Sequence, residues 1–77
     1  MDIRKIIKIN DLIQSGRSGE PKVMANKLEI SERMLYHLLS FMKTELNAPI
    51  KYDKSKKRYF YHKAGKMGLT WEDEIIK

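Results

Sequence analysis

Basic side chains are concentrated in one short segment of the chain, and their spacing is typical of a surface that contacts a polyanion. Four of the five residues from Lys54 to Arg58 are Lys or Arg, and only Ser55 is uncharged. Residues 33–63 hold eight basic and two acidic groups, so the net charge of +6 arises in this segment. We therefore expect a local positive field that attracts nucleic acid. The alternative is a Lys-rich surface that only keeps a small protein soluble.

Residues that could support catalysis or bind a metal are few and scattered. The chain has no Cys, which excludes disulfides, thiolate metal sites and a Cys nucleophile. His37 and His62 have no carboxylate at ligand spacing, and the glycine pairs are too short for a phosphate-binding loop. No nucleophile has a base beside it, and residues 72–74 are interpreted as a solvated acidic tail. We expect no enzyme activity, no cofactor and no metal site.

The length of 77 residues predicts one domain spanning 1–77. An apolar stripe at helical spacing predicts a first helix over about 3–14, which ends before Gly16. The residues assigned to its buried stripe are Ile3, Ile6, Ile7 and Ile13, widened by Ile9 and Leu12. A second, shorter helix is predicted over about 20–28, capped by Ser18 or Gly19.

A third helix is predicted over about 32–46, with Ser31 as its N-cap. Its apolar residues recur at spacings of three and four, which predicts one buried stripe. These residues are Leu35, Leu38, Leu39, Met42 and Leu46. Only Glu29 and Ile30 connect the second helix to the third, so the two helices must cross sharply. This arrangement is a helix-turn-helix unit.

A hairpin with a basic tip is predicted over 50–61, because two β-prone runs flank a polar turn. The tail, 64–77, opens with a turn, and residues 66–71 are predicted to return as a third strand. The pattern Thr70-Trp71-Glu72-Asp73 also fits a capping box that opens a short helix. We favour the strand.

Two runs of residues resemble the start of small bacterial regulators of the DeoR-like type, including those that carry a C-terminal WYL domain. The first run is Ser18-Gly19-Glu20-Pro21 followed by Ala25-Asn26-Lys27-Leu28-Glu29-Ile30-Ser31-Glu32-Arg33-Met34-Leu35-Tyr36. The second is Ala48-Pro49-Ile50-Lys51-Tyr52-Asp53 followed by Arg58-Tyr59-Phe60-Tyr61. The resemblance covers about residues 3–62 and implies an α+β winged helix-turn-helix, with a three-helix core, a β-hairpin wing and a possible third strand.

The resemblance also implies that the third helix enters the major groove of duplex DNA. Glu29 departs from the pattern of these regulators, which often have Gly there, so the turn must accept a non-Gly residue in a left-handed conformation. The effector-sensing domain of these regulators has no counterpart in the sequence. We therefore expect no small-molecule effector.

The third helix supplies the candidate contacts to bases and phosphates. The residues expected to point away from its apolar stripe are Ser31, Arg33, Tyr36, His37, Ser40 and Lys43. Arg33 is expected to read a base directly, because a guanidinium matches the two acceptors of guanine. Ser31 suits a phosphate, and Lys43 suits the DNA backbone. The alternative for Arg33 is a surface ion pair with Glu29 or Glu32.

Tyr36 and His37 are expected to touch a base edge or a phosphate, although each also suits an ordinary packed or solvated position. In the hairpin, the predicted contacts to phosphates or the minor groove are Lys54, Lys56, Lys57 and Arg58. The alternative is a solvated turn.

Together these features predict a small cytoplasmic transcription regulator, from a bacterium or a mobile element, that binds duplex DNA sequence-specifically. A homodimer is possible, joined by the first helix or by tail residues Trp71, Ile75 and Ile76. The rival hypothesis is a winged-helix adaptor that binds proteins and makes no DNA contact. No apolar run is long enough to span a membrane.

Overall fold

The computed structural model describes residues 3–67 and 71–73. These residues form a small α+β domain with three helices followed by antiparallel strands. The elements are α1 (Ile3–Gln14), α2 (Pro21–Leu28), α3 (Glu32–Thr44), β1 (Ile50–Asp53), β2 (Arg58–Tyr61), β3 (Gly65–Met67) and β4 (Trp71–Asp73). The predicted order of three helices and a hairpin is confirmed. None of the helices in the described ranges combines the length and the apolar character that a membrane crossing requires.

One hydrophobic core joins the three helices to the hairpin formed by β1 and β2. α1 packs against α2 and β2, and α2 packs against α3. The buried apolar residues are Ile6, Ile9, Ile13, Met24, Ala25, Leu28, Leu35, Leu38, Leu39, Met42, Ala48, Ile50 and Tyr59. Because the hairpin contributes to this core, its position relative to the helices is fixed by packing.

The predicted buried stripe of α1 is partly wrong. Ile6, Ile9 and Ile13 are buried, whereas Ile3 is 62% exposed and Ile7 is 52% exposed. Isoleucines at nearly every third or fourth position give two overlapping stripes, and periodicity alone does not select between them. The contacts of α1 with α2 and β2 select the stripe centred on Ile9.

The turn between α2 and α3 has the geometry that the sequence requires. Glu29 is left-handed, with φ 57° and ψ 42°. The N–H of Ile30 donates to the carbonyl of Ala25 at 3.0 Å, which closes the end of α2 as in a Schellman motif. Ser31 is the N-cap of α3, and its hydroxyl accepts a hydrogen bond from the Met34 N–H at 3.1 Å. The expected N-cap and the expected left-handed non-Gly residue are both confirmed.

Ser18 does not cap α2, contrary to the prediction, and neither does Gly19. The N-cap of α2 is Glu20, which makes no side-chain capping bond. Ser18 is instead fully buried, and its hydroxyl accepts a hydrogen bond from the Tyr59 N–H at 2.8 Å. The loop between α1 and α2 is thereby attached to the edge of β2.

The hairpin of β1 and β2 is held by its register and by a side-chain turn. Tyr52 lies opposite Tyr59, and their ring centroids are 4.9 Å apart in an edge-to-face arrangement. The Asp53 carboxylate accepts hydrogen bonds from the N–H groups of Ser55 at 2.9 Å and Lys56 at 3.1 Å. This turn fixes the path of the tip between the two strands.

The tail does not add a third strand to this hairpin, so the predicted single strand over 66–71 is wrong. β3 pairs with β4 in a separate two-stranded ladder, with Gly65 opposite Asp73. The edge of β2 is already occupied, since the Tyr59 N–H is bonded to Ser18. The alternative, a short helix opened by a capping box at 70–73, is not formed at its described residues, because β4 covers 71–73. Ile75 and Ile76 lie outside the described residues.

Candidate nucleic-acid interface

The outward face of α3 carries every contact residue that the sequence placed on it. The buried stripe is Leu35, Leu38, Leu39 and Met42, and Leu46 packs partly buried beyond the end of the helix. The exposed candidates are Ser31, Arg33, Tyr36, His37, Ser40 and Lys43. The helix ends at Thr44, two residues earlier than predicted. The chain then turns through Asn47, which is left-handed with φ 54°.

The first two turns of α3 form a shallow surface depression. It is lined by Ser31, Arg33, Met34, Tyr36 and His37. Met34 is 46% exposed and Tyr36 is 51% exposed, so two large apolar surfaces lie beside a cation and an imidazole. Met34 was not among the contact residues predicted from the sequence. Its exposure makes it part of the candidate interface.

Arg33 is available for binding. Within the described residues it forms no ion pair with Glu29 or Glu32, the two partners that the sequence offered as an alternative. Backbone N–H groups in the first turn of a helix such as α3 have no acceptor within the helix. The helix dipole also favours an anion at this end. A guanidinium and a helix N-terminus together suit a phosphate or the acceptor edge of a base.

The tip of the hairpin, residues 54–57, presents three ammonium groups to solvent. Lys54, Lys56 and Lys57 are all exposed, and none pairs with a carboxylate in the part of the chain that the structure describes. The nearest acid along the chain, Asp53, already accepts two backbone hydrogen bonds. Asp53 makes no ion pair with these lysines in the described part of the chain.

Tyr36 of α3 lies close enough to Tyr52 and Tyr59 of the hairpin to act on them electrostatically. The pKa of Tyr59 is raised to about 12, mainly by burial, with smaller effects from Tyr36, Tyr52 and Glu32. Burial also raises the pKa of Tyr52, with smaller effects from Glu20, Tyr36 and Asp53. These effects place Tyr36 of α3 within electrostatic range of both strands. The sequence did not predict this proximity, because it depends on how the hairpin packs.

Arg58, which the sequence grouped with the three lysines, is set apart from them. It is half-buried. Its Nη1 atom packs over Gly16 so closely that a Cβ atom on that residue would lie 2.5 Å away. The backbone of Gly16 is left-handed, with φ 72°. The Nε of Arg58 is buried and has no hydrogen-bond partner. Arg58 therefore faces the loop between α1 and α2.

Metal-ligating residues are not clustered in the described ranges: no group of three or more His, Cys, Asp or Glu side chains there could hold a metal ion. The candidate interface consists of the cations, aromatic rings and helix start described above. Comparison of the chain with protein-family models, with curated proteins and with solved structures finds no match.

Proposed function

We propose that the chain is a winged helix-turn-helix that binds duplex DNA, with the first half of α3 in the major groove and the hairpin tip on the phosphate backbone. One observation carries the proposal. In the described part of the chain, Arg33 is exposed and makes no ion pair, and the three exposed lysines of the hairpin tip pair with no carboxylate. Arg33 lies on the helix whose Tyr36 is within electrostatic range of that hairpin. A base-reading side chain and phosphate-binding cations are thus available from neighbouring elements.

In the major groove, Arg33 donates two hydrogen bonds to the acceptors of a guanine. Tyr36 and His37 lie beside it and contact a neighbouring base edge or phosphate, while Met34 suits a thymine methyl group. The N–H groups at the start of α3 bind a phosphate, and the Ser31 cap holds them in place. Ser40 and Lys43 are farther along the helix and contact the backbone, which sets the position of α3 in the groove.

The hairpin tip supplies affinity without sequence information. Each of Lys54, Lys56 and Lys57 neutralises a phosphate and releases a condensed counterion. The turn around Asp53 restricts the path of the tip, so less conformational entropy is lost on binding. Together, base reading by α3 and phosphate binding by the tip describe a small transcription regulator that acts on DNA in the bacterial cytoplasm.

The salt dependence of DNA binding tests this proposal. Fluorescence anisotropy with a labelled duplex should give a log–log slope of about −3 or steeper. Changing Lys54, Lys56 or Lys57 to Ala should reduce that slope by about 0.9 for each lost phosphate contact. The charge-matched control, Lys8→Ala on α1, should leave the slope unchanged. Absence of binding at low salt would contradict the proposal.

Sequence preference requires a second measurement. Selection of bound duplexes from a random pool should recover a motif for the wild type. Arg33→Ala should lose discrimination at one base position, which corresponds to about 1–3 kcal/mol. Lys56→Ala should weaken binding to all sequences equally and serves as the control. A uniform loss with Arg33→Ala would exclude direct base reading by that residue.

A protein-binding adaptor is the second candidate, and one observation favours it. Glu20 and Glu32 act electrostatically on the tyrosines that adjoin Tyr36, so carboxylates lie near the exposed apolar surface of α3. Such carboxylates repel phosphates but suit a basic protein partner. If duplex DNA fails to bind at low salt, the adaptor is the better explanation. If binding shows the predicted lysine dependence, the adaptor hypothesis is wrong.

A further inference from the structure

Three cations lie where the loop between α1 and α2 meets the start of β2, outside the candidate interface on α3 and the tip. We call Arg17, Lys27 and Arg58 the basic corner. The Lys27 ammonium donates to the carbonyl of Arg17 at 2.6 Å, and the Arg17 Nε donates to the Ser15 hydroxyl at 3.3 Å. These hydrogen bonds hold two of the side chains against the loop, but the acceptors are neutral and both charges remain uncompensated.

Arg58 is the member with the least favourable surroundings. Its guanidinium is packed over Gly16, where a Cβ atom would lie 2.5 Å from Nη1. Its Nε is removed from solvent and makes no hydrogen bond. A desolvated cationic donor without an acceptor is costly. A small rotation of the guanidinium toward an incoming anion would give this nitrogen an acceptor.

The carboxylates that are close to the basic corner along the chain form no ion pair with it in the described residues. Residues 15–19 contain no carboxylate. Asp53, which lies opposite Arg58 in the hairpin register, accepts the two backbone hydrogen bonds of the tip. In the described part of the chain, no carboxylate pairs with any cation of the basic corner.

The basic corner continues the positive surface of the hairpin tip. Arg58 follows Lys57 directly in the sequence. The hydrogen bond from the Tyr59 N–H to Ser18 holds the loop that carries Arg17 along the edge of β2. Ser15 lies next to both arginines: its hydroxyl accepts the hydrogen bond from Arg17, and it lines one surface depression together with Arg58. A single extended polyanion can therefore contact the tip and the corner together.

We propose that the basic corner binds the phosphate backbone of the same duplex, beyond the hairpin tip. This inference rests on the proposed function and extends the contact surface to a part of the molecule that neither α3 nor the tip includes. Arg58 supplies a planar fork that suits two phosphate oxygens. Arg17 and Lys27 supply further positive charge to the adjoining phosphate.

Salt titrations of corner variants test this inference. Arg17→Gln and Arg58→Gln should each reduce the log–log slope for duplex DNA by about 0.9, and the double variant by about 1.8. Lys8→Gln removes the same charge from exposed α1 and should leave the slope unchanged. Lys56→Gln in the tip is the positive control. Arg58→Lys should keep most of the slope but bind several-fold more weakly, because the fork is lost.

The outcomes separate the two proposals. Thermal unfolding is measured for each variant, and the exposed Arg17 tests the inference even where Arg58→Gln lowers stability. If Lys56→Gln reduces the slope while the corner variants match Lys8→Gln, the corner does not bind phosphate, and the proposed DNA binding stands. If the wild-type chain binds no duplex DNA at low salt, both proposals are wrong.

Discussion

Glu29 occupies a backbone conformation that costs free energy for any residue with a Cβ atom. Its φ is 57°, and the left-handed region disfavours L-residues by about 1 kcal/mol relative to glycine. Glu29→Gly should therefore raise the free energy of unfolding by about 0.5–1 kcal/mol, measured by urea denaturation. Glu29→Ala keeps the strain and should change stability by less than about 0.5 kcal/mol. Equal effects of the two variants would show that the turn is not strained.

The buried tyrosines make stability depend on pH in the alkaline range. The pKa of Tyr59 is raised to about 12 in the folded chain, against about 10 for an unfolded tyrosine. Tyr59 therefore keeps its proton in the folded state at pH values where it loses it in the unfolded chain. The stabilising contribution of Tyr59 is complete below pH 10 and is lost as pH rises from 10 to 12. Tyr61 acts in the same direction, since burial raises its pKa as well.

Urea denaturation at a series of pH values checks this prediction, with Tyr59→Phe as the comparison. Lysines also titrate in this range, so the informative quantity is the difference between the two proteins. The wild type should lose more stability than Tyr59→Phe between pH 10 and 12. Parallel pH profiles would contradict the assignment of the shifted pKa to Tyr59.

At the scale of elements, the start of α3 combines a stabilising cap with a proposed phosphate contact, and the two roles can be separated. Ser31→Ala removes the acceptor of the Met34 N–H and should lower the free energy of unfolding by about 1 kcal/mol. Ser31→Asp keeps a capping acceptor, so it should restore stability. Its negative charge should nevertheless weaken duplex DNA binding. Wild-type affinity in Ser31→Asp would exclude a phosphate at this position.

The elements that the sequence predicted are those that depend on local signals. Helical periodicity and the Ser31 cap located α3 and its outward face, and turn residues located the hairpin. Interactions between distant residues were not predictable in this way. Ser18 was predicted to cap α2, which follows it closely in the sequence, but its partner, Tyr59, lies 41 residues along the chain. The approach of Tyr36 to the hairpin and the burial of Arg58 against Gly16 also arise only from packing.

For the molecule as a whole, we keep as a prediction that two copies associate through the exposed face of α1. Ile3 and Ile7 are one helical turn apart and both more than half exposed, so α1 presents two neighbouring apolar side chains to solvent. We expect a dimer mass by multi-angle light scattering at tens of micromolar protein, since paired subunits read two half-sites. Ile7→Lys should give a monomer and weaker binding to an inverted repeat. A monomer mass for the wild type would contradict this prediction.

The strands of the hairpin are attached to the helices at points away from the tip. The Tyr59 N–H is bonded to Ser18, and the Tyr61 hydroxyl donates to Asn10 at 2.7 Å. Among the described residues, the tip is hydrogen-bonded through Ser55 and Lys56 to Asp53. Insertions in an exposed loop cost little closure entropy. The four tip residues can therefore be lengthened or exchanged for another sequence without unfolding the scaffold, so grafted loops offer a route to redirect the protein to other targets.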